Sequence, residues 1–189
     1  MPNARERILT AARVNQPELA PLPPVPTFGG DASLARFSEV LAGIGGEVVR
    51  LASLAALPAA VAELWPGAQL VASPLLSGTL PISQQTATDT LADVYLAVLA
   101  GAFGVAENGA VWLPEANMLH RALPTVTQHL ALVLDERQLV PTMHQAYARL
   151  AAGPGGYGLF IAGPSKTADI EQSLVIGAHG ARSLVVLVY

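Results

Sequence analysis

The run Leu184-Val-Val-Leu-Val-Tyr189 constrains the fold more than any other part of the chain. Successive side chains of a strand point to opposite faces, so a strand that is apolar at every position must be covered on both. Sheets covered on both faces are largely parallel and sandwiched between helices. The rest of the sequence supplies the matching rhythm. Residues 47–51 read as a strand, residues 58–64 as an alanine-rich helix with proline in its first turn, and residues 68–73 as a second strand. Residues 83–90 read as a polar loop. Further strands are expected at 94–99, 110–113, 129–134 and 184–189, with residues 157–162 returning as an inner strand and residues 102–109 as a tight connection. Helices are expected after Asp31, an N-cap candidate, through residue 44; from Pro141 to about residue 150; and over residues 165–176. The predicted fold class is therefore α/β: three layers around a mostly parallel sheet, with ligands bound where the C-terminal ends of the strands open into loops.

At 189 residues, 52% hydrophobic and 13% charged, the chain has material for one core and is not broadly disordered. Two segments are expected: an arm over residues 1–30 and an α/β domain over residues 31–189. In the arm, residues 3–14 form a helix with Ile8, Leu9 and Ala12 on one side. Pro17, Pro21, Pro23, Pro24 and Pro26 then exclude helix and inner strand. Such a strap lays the first helix on a neighbour, either this domain or another subunit, which leaves a homodimer open. The net charge of −4, with ten basic residues scattered along the chain, offers no face for nucleic acid. The uncharged stretch at residues 94–106 is shorter than the ~18–20 residues that cross a bilayer, so no membrane association is expected. The N-terminus lacks the apolar core and small-residue cleavage site of a signal peptide, which predicts a cytoplasmic protein. The absence of cysteine removes disulfides, thiolate metal sites and iron–sulfur ligation. No cofactor is expected in this chain, and any redox cluster would belong to a partner.

Two segments carry candidate chemistry. The first is Gly163-Pro-Ser165-Lys166-Thr167-Ala-Asp169-Ile-Glu171, in which an apolar strand turns through glycine into the expected helix. Exposed N–H groups at such a turn favour an anion, with Ser165, Lys166 and Thr167 adding donors. Lys166 is the sole lysine. The plainer alternative is that Ser165 or Thr167 only caps a helix whose first turns Asp169 and Glu171 complement. Either way, the two acids oppose a triphosphate, and a carboxylate or single phosphate fits better. The second is Ala106-Glu107-Asn108-Gly109. A glutamate between an apolar segment and a strand is expected to be poorly solvated, which suits a base or nucleophile; the alternative is an Asn-Gly hairpin turn. His120, His129 and His144 show neither metal-ligand spacing nor a triad order and are expected to be structural. His179 and Arg182, in Gly177-Ala-His-Gly-Ala-Arg182, follow the first segment closely enough to share its site. Arg121 is a weaker anion-binding candidate.

Together these segments resemble the LUD domain of lactate-utilization proteins of the B and C types. The family pattern runs roughly Ala-Glu-Thr-Gly, Leu-Leu-Pro-Pro with a histidine, Gly-Pro-Ser-Arg-Thr-Ala-Asp-Ile-Glu and Gly-x-His-Gly-Pro-Arg. It stands here as Ala106-Glu-Asn-Gly109, Leu123-Pro124 with His129, Gly163-Pro-Ser-Lys-Thr-Ala-Asp-Ile-Glu171 and Gly177-Ala-His-Gly-Ala-Arg182. The resemblance implies a fold like that of glucosamine-6-phosphate deaminase, ribose-5-phosphate isomerase and CoA transferases. It also implies a part in oxidising L-lactate to pyruvate beside iron–sulfur lactate-utilization partners, of which the cysteine-free chain resembles the short C type. Three positions depart from the pattern: Asn108 for threonine, Lys166 for arginine and Ala181 for proline. Lysine keeps the charge and gives up the bidentate fork. Asn108 makes the turn resemble the Ser-Glu-Asn-Gly motif of class I CoA transferases, in which the glutamate attacks an acyl-CoA. Three functions stay open: a lactate-oxidation subunit binding a small carboxylate or phosphate, an independent CoA-transferase-like or sugar-phosphate enzyme using Glu107, and a non-catalytic structural subunit.

Overall fold

A computed structural model describes residues 3–21, 23, 24, 26, 28–151, 153, 156–168 and 174–189. The terminal apolar run lies in the middle of a five-stranded sheet. Its order is β1 (Glu47–Arg50), β11 (Ser183–Val188), β6 (His129–Leu134), β3 (Leu96–Ala100) and β2 (Val71–Ala72), and every pairing is parallel. Alternation along the strands divides the core in two. Leu184, Val186 and Val188 join Leu130, Leu132 and Leu134 on one face, while Val185 and Leu187 join Ala131 and Val133 on the other.

The second face is covered by α3 (Leu57–Leu64), which buries Leu57 and Val61. The first is covered by α2 (Leu34–Gly43), through Phe37 and Leu41, and by a further sheet. That sheet has the order β7 (Leu139–Val140), β4 (Phe103–Val105), β5 (Ala110–Pro114) and β8 (Gly158–Ile161). Val111 and Leu113 of β5 enter the shared core. Phe103, Val105 and Ala110 point outward beneath α6 (Met143–Ala151), whose Ala146 is buried against them. The expected sandwich is thus present, with a mixed sheet sharing one of its covering layers. Two one-turn helices, α4 (Thr88–Leu91) and α5 (Leu123–Val126), lead into β3 and β6.

Four local expectations are corrected. Residues 102–109 are a tight connection only in part, because Phe103–Val105 forms β4, antiparallel to β5. Residues 157–162 are not an inner strand: β8 is the half-buried edge of the second sheet, antiparallel to β5. Its Phe160 packs on Trp112 with ring centroids 4.7 Å apart, so aromatic cross-strand packing produces the apolar run that burial was expected to explain. The region read as a helix over 165–176 contains a β-hairpin, β9 (Lys166–Ala168) pairing antiparallel with β10 (Leu174–Ile176). Thr167, Val175 and Ile176 are β-branched and suit a pleated surface better than a helix. Finally, α2 is capped by Ser33, which accepts from the Arg36 N–H at 3.2 Å. Asp31 braces that cap from two residues upstream, accepting from the Ser33 N–H at 2.7 Å and hydroxyl at 2.9 Å. These bonds hold the Asp31 carboxyl below its ordinary pKa.

The N-terminal helix α1 (Ala4–Val14) has a capping box between Asn3 and Glu6, and none of its residues is buried. It therefore does not rest on its own domain. The end of the arm does: Phe28 stacks on His144 with ring centroids 4.1 Å apart, and the Gln145 side-chain amide donates to the Phe28 carbonyl at 2.9 Å.

Gly109, at the β4–β5 turn, has φ +69°, and a Cβ there would lie 3.0 Å from the Leu41 Cα and 3.1 Å from its nitrogen. Gly109→Ala should combine left-handed strain with backbone overlap, lowering unfolding stability by about 2–4 kcal/mol. Gly29, with nothing within 4 Å of its added Cβ, should tolerate alanine within about 0.5 kcal/mol. Urea unfolding of the two variants checks the contrast, and equal losses would contradict it.

Candidate functional site

The last turn of α2 is the platform on which both motif segments meet. Gly109 lies against Leu41, and Gly163, with φ +74°, would place a Cβ 2.8 Å from the Ile44 carbonyl oxygen. The antiparallel β5–β8 register, Val111 opposite Ile161, carries the two glycines to this end together. Their side chains then diverge. Glu107 is exposed, and its Oε2 accepts from the Met143 N–H at 2.8 Å, placing the carboxylate on the positive end of α6. Asn108 Oδ1 accepts from the Ala110 N–H at 3.1 Å and closes the turn. The expectation of a poorly solvated Glu107 is corrected: Ala106 and Gly109 are buried at the turn, and the Glu107 side chain between them is exposed.

After Gly163 the chain enters the hairpin. The Ser165 N–H donates to the Ala181 carbonyl at 2.9 Å, and the Gly177 N–H donates to the Ser165 carbonyl at 3.0 Å. These bonds clamp residues 163–166 onto residues 177–182. Two adjoining clefts of 340 and 500 Å³ open at the joint and share Thr125, His179 and Gly180. Ser165 and Lys166 wall the smaller; Thr127, Gln128 and Arg182 wall the larger. Lys166, His179 and Arg182 are all exposed there, and the Lys166 ammonium also lies above Gly45, just beyond α2. Among the described residues, no acid lines either cleft. Thr167 sits in β9 opposite Val175 and lines neither. Asp169 and Glu171 lie outside the described residues.

The clefts lie at the N-terminal ends of the parallel strands, since Ala92, Gln128 and Arg182 precede β3, β6 and β11. The candidate residues thus gather at the opposite ends of the strands from the C-terminal ones, where ligands were expected. There the chain crosses directly between sheets, with the Gly101 N–H bonded to the Val133 carbonyl at 2.9 Å before β4 begins. Thr125, Thr127 and Gln128 were not singled out from the sequence; their only signal was proximity to the Leu123-Pro124 motif.

The remaining polar candidates have local partners. Arg121 pairs with Glu115 and lies over the Tyr157 ring, 5.2 Å from its centroid. The His120 ring nitrogen accepts from the Ala122 N–H. Among the described residues, no three His, Asp or Glu side chains are grouped to hold a metal, and no helix is long and apolar enough to cross a membrane.

His129 flanks the larger cleft. Its Nδ1 lies 2.7 Å from the Ser183 hydroxyl and its ring 4.7 Å from that of Tyr95. Burial, and secondarily the Arg182 charge, lower its pKa below the ordinary 6.5. The folded state therefore binds this proton less readily than the unfolded chain, and stability falls as pH drops below about 6.5. Thermal unfolding between pH 7.5 and 5.5 should show a shallower loss in His129→Gln than in the parent; parallel profiles would contradict the assignment.

Comparison with known proteins agrees with this architecture. The LUD domain family model matches residues 81–189. Lactate utilization protein C of Deinococcus radiodurans is 30% identical over 187 residues, covering 92% of this chain and 88% of that protein. Lactate utilization protein C of Shouchella clausii is 37% identical over 81 residues, 40% of this chain and 35% of that protein. The chain thus matches about a third of the length of that relative and of its Halalkalibacterium halodurans counterpart. The crystal structure of a DUF162 family protein from Deinococcus radiodurans superposes with a TM-score of 0.63 at 20% identity, covering 82% of this chain and 94% of that one. At that identity the likeness speaks to the fold. By family model and by full-length similarity, the chain belongs to the LUD-domain family.

Proposed function

We propose that this protein is a lactate-utilization protein C-like subunit acting in the oxidation of L-lactate to pyruvate. In this proposal it works in the cytoplasm beside iron–sulfur partner subunits and binds a small carboxylate at the joint of the two C-terminal loops. One observation carries the binding claim. Lys166, His179 and Arg182 border two connected clefts in which the described residues provide no acid. A ligand there meets the Lys166 and Arg182 cations, the Ser165 hydroxyl, and a glycine-bearing loop whose backbone can approach it closely. The relatives' names support the lactate assignment. With no cysteine in this chain to ligate a cluster, an iron–sulfur acceptor for the electrons would sit in the partner subunits.

One observation keeps a second reading, a CoA-transferase-like or sugar-phosphate enzyme using Glu107. Gly109 and Gly163 pack on the same turn of α2, so the Glu107 turn adjoins the clefts even though its carboxylate caps α6. Thermal unfolding with L-lactate, pyruvate, an acyl-CoA and a sugar phosphate separates the two. Pyruvate or lactate at a hundred times its dissociation constant should stabilise the protein by about 2.7 kcal/mol. Arg182→Ala should weaken that ligand roughly tenfold or more, as expected for loss of a charge-assisted hydrogen bond. Glu107→Gln should leave the affinity unchanged. A shift with acyl-CoA or sugar phosphate alone, abolished by Glu107→Gln, would replace the first reading with the second.

A further inference from the structure

The N-terminal helix has an exposed apolar face. Ile8 is 68% and Val14 76% exposed, and Leu9 and Ala12 are exposed beside them. An isolated helix below ~12–15 residues is marginal in water, and α1 has 11. Its caps help, but a helix this short persists when its apolar stripe is covered. It also carries Arg5, Arg7 and Arg13 against a single acid, Glu6.

The domain offers a complementary surface. Residues 51–120 contain no lysine or arginine, and they include Glu63, Asp89, Asp93, Glu107 and Glu115. α3, α4, β2 and β3 fall in this stretch and form one edge of the parallel sheet. A groove of 340 Å³ opens there between α3 and residues 67–79, walled by Val61, Trp65, Val71 and Leu76. Glu63 is exposed on α3, and Asp93 is brought beside Leu70 by the Tyr95 N–H bond to the Leu70 carbonyl at 2.9 Å. Among the described residues, Glu63, Asp89 and Asp93 take part in no ion pair.

The arm cannot easily bring α1 to this groove on its own domain. Phe28 anchors the arm at α6, which backs the outer face of the second sheet, whereas α3 covers the far face of the first. Both sheets lie between them. Residues 15–27, with their prolines, span ~40 Å when extended at ~3.1 Å per residue. That length is consumed in going round the domain, but it readily crosses to a neighbouring molecule.

We propose that α1 is an exchange arm that docks its Ile8, Leu9 and Ala12 stripe into the α3–β2 groove of a second copy of this chain. Its three arginines then face the acidic, lysine- and arginine-free edge. The like charges of two α1 helices disfavour their pairing with each other.

Light scattering on the full-length protein tests the assembly. The parent chain should be a dimer at about 100 μM, and Ile8→Asp with Leu9→Asp should make it monomeric, without touching the core since α1 buries none of its residues. A monomeric parent, or a dimer indifferent to the double substitution, overturns the proposal. The cysteine-free sequence allows a direct test of position. Ala11→Cys and Ala62→Cys chains are mixed and treated with a short bismaleimide, and links between unlike chains are the expected product. Links only between Ala11→Cys chains, links only within a chain carrying both substitutions, or no unlike-chain link at all would each overturn it.

Discussion

A strand with no polar face cannot be left open to water on either side, and β11 imposes that requirement on the whole molecule. Val185 and Leu187 are sealed by α3, and Leu184, Val186 and Val188 by α2 with the second sheet. Each fully buried leucine or valine contributes roughly 1.5–3 kcal/mol relative to exposure, so displacing either cover costs several such contributions. The second sheet is the less obvious half of this solution. It arises because β3 runs through Gly101 straight into the β4–β5 hairpin, which folds back across the core and gives β8 an antiparallel partner.

The same arrangement decides where the candidate site lies. The hairpin and β8 both run back to the end of α2, so Gly109 and Gly163 meet at the N-terminal ends of the parallel strands. The loop before β11 starts from that end as well, and two backbone hydrogen bonds join it to Ser165. Because Lys166–Ala168 forms a strand, no helix begins at Ser165 to aim its dipole at the clefts. Charge there comes from side chains, chiefly Lys166 and Arg182. In the proposed site, Lys166 would offer a carboxylate a point charge rather than the planar fork of an arginine.

Much of the parallel sheet was legible in the sequence. β6 and β11 are apolar runs of strand length, α3 carries its proline in the first turn, and α6 follows Pro141 closely. The second sheet was hidden because β8 is a half-buried edge strand whose Phe160, packed on Trp112 of the buried β5, imitates the composition of an inner strand. The motif at residues 163–171 was found and the conformation of its residues 166–168 misassigned: Ser-Lys-Thr after Gly-Pro reads as a cap, while the pairing of Thr167 with Val175 needs a partner strand that local periodicity does not reveal. Glu107 shows the same limit. Its bond to the Met143 N–H joins residues far apart in sequence, and only the packing of α6 on the hairpin brings them together.

The proposed site puts a small carboxylate between the Gly163–Lys166 and Gly177–Arg182 loops, at the N-terminal ends of β6 and β11. A crystal structure determined with saturating pyruvate tests it most directly. Density for the carboxylate is expected within hydrogen-bond distance of Arg182 or Lys166, beside His179. Pyruvate bound at the opposite ends of these strands, or beside Glu107 and away from both loops, would contradict it.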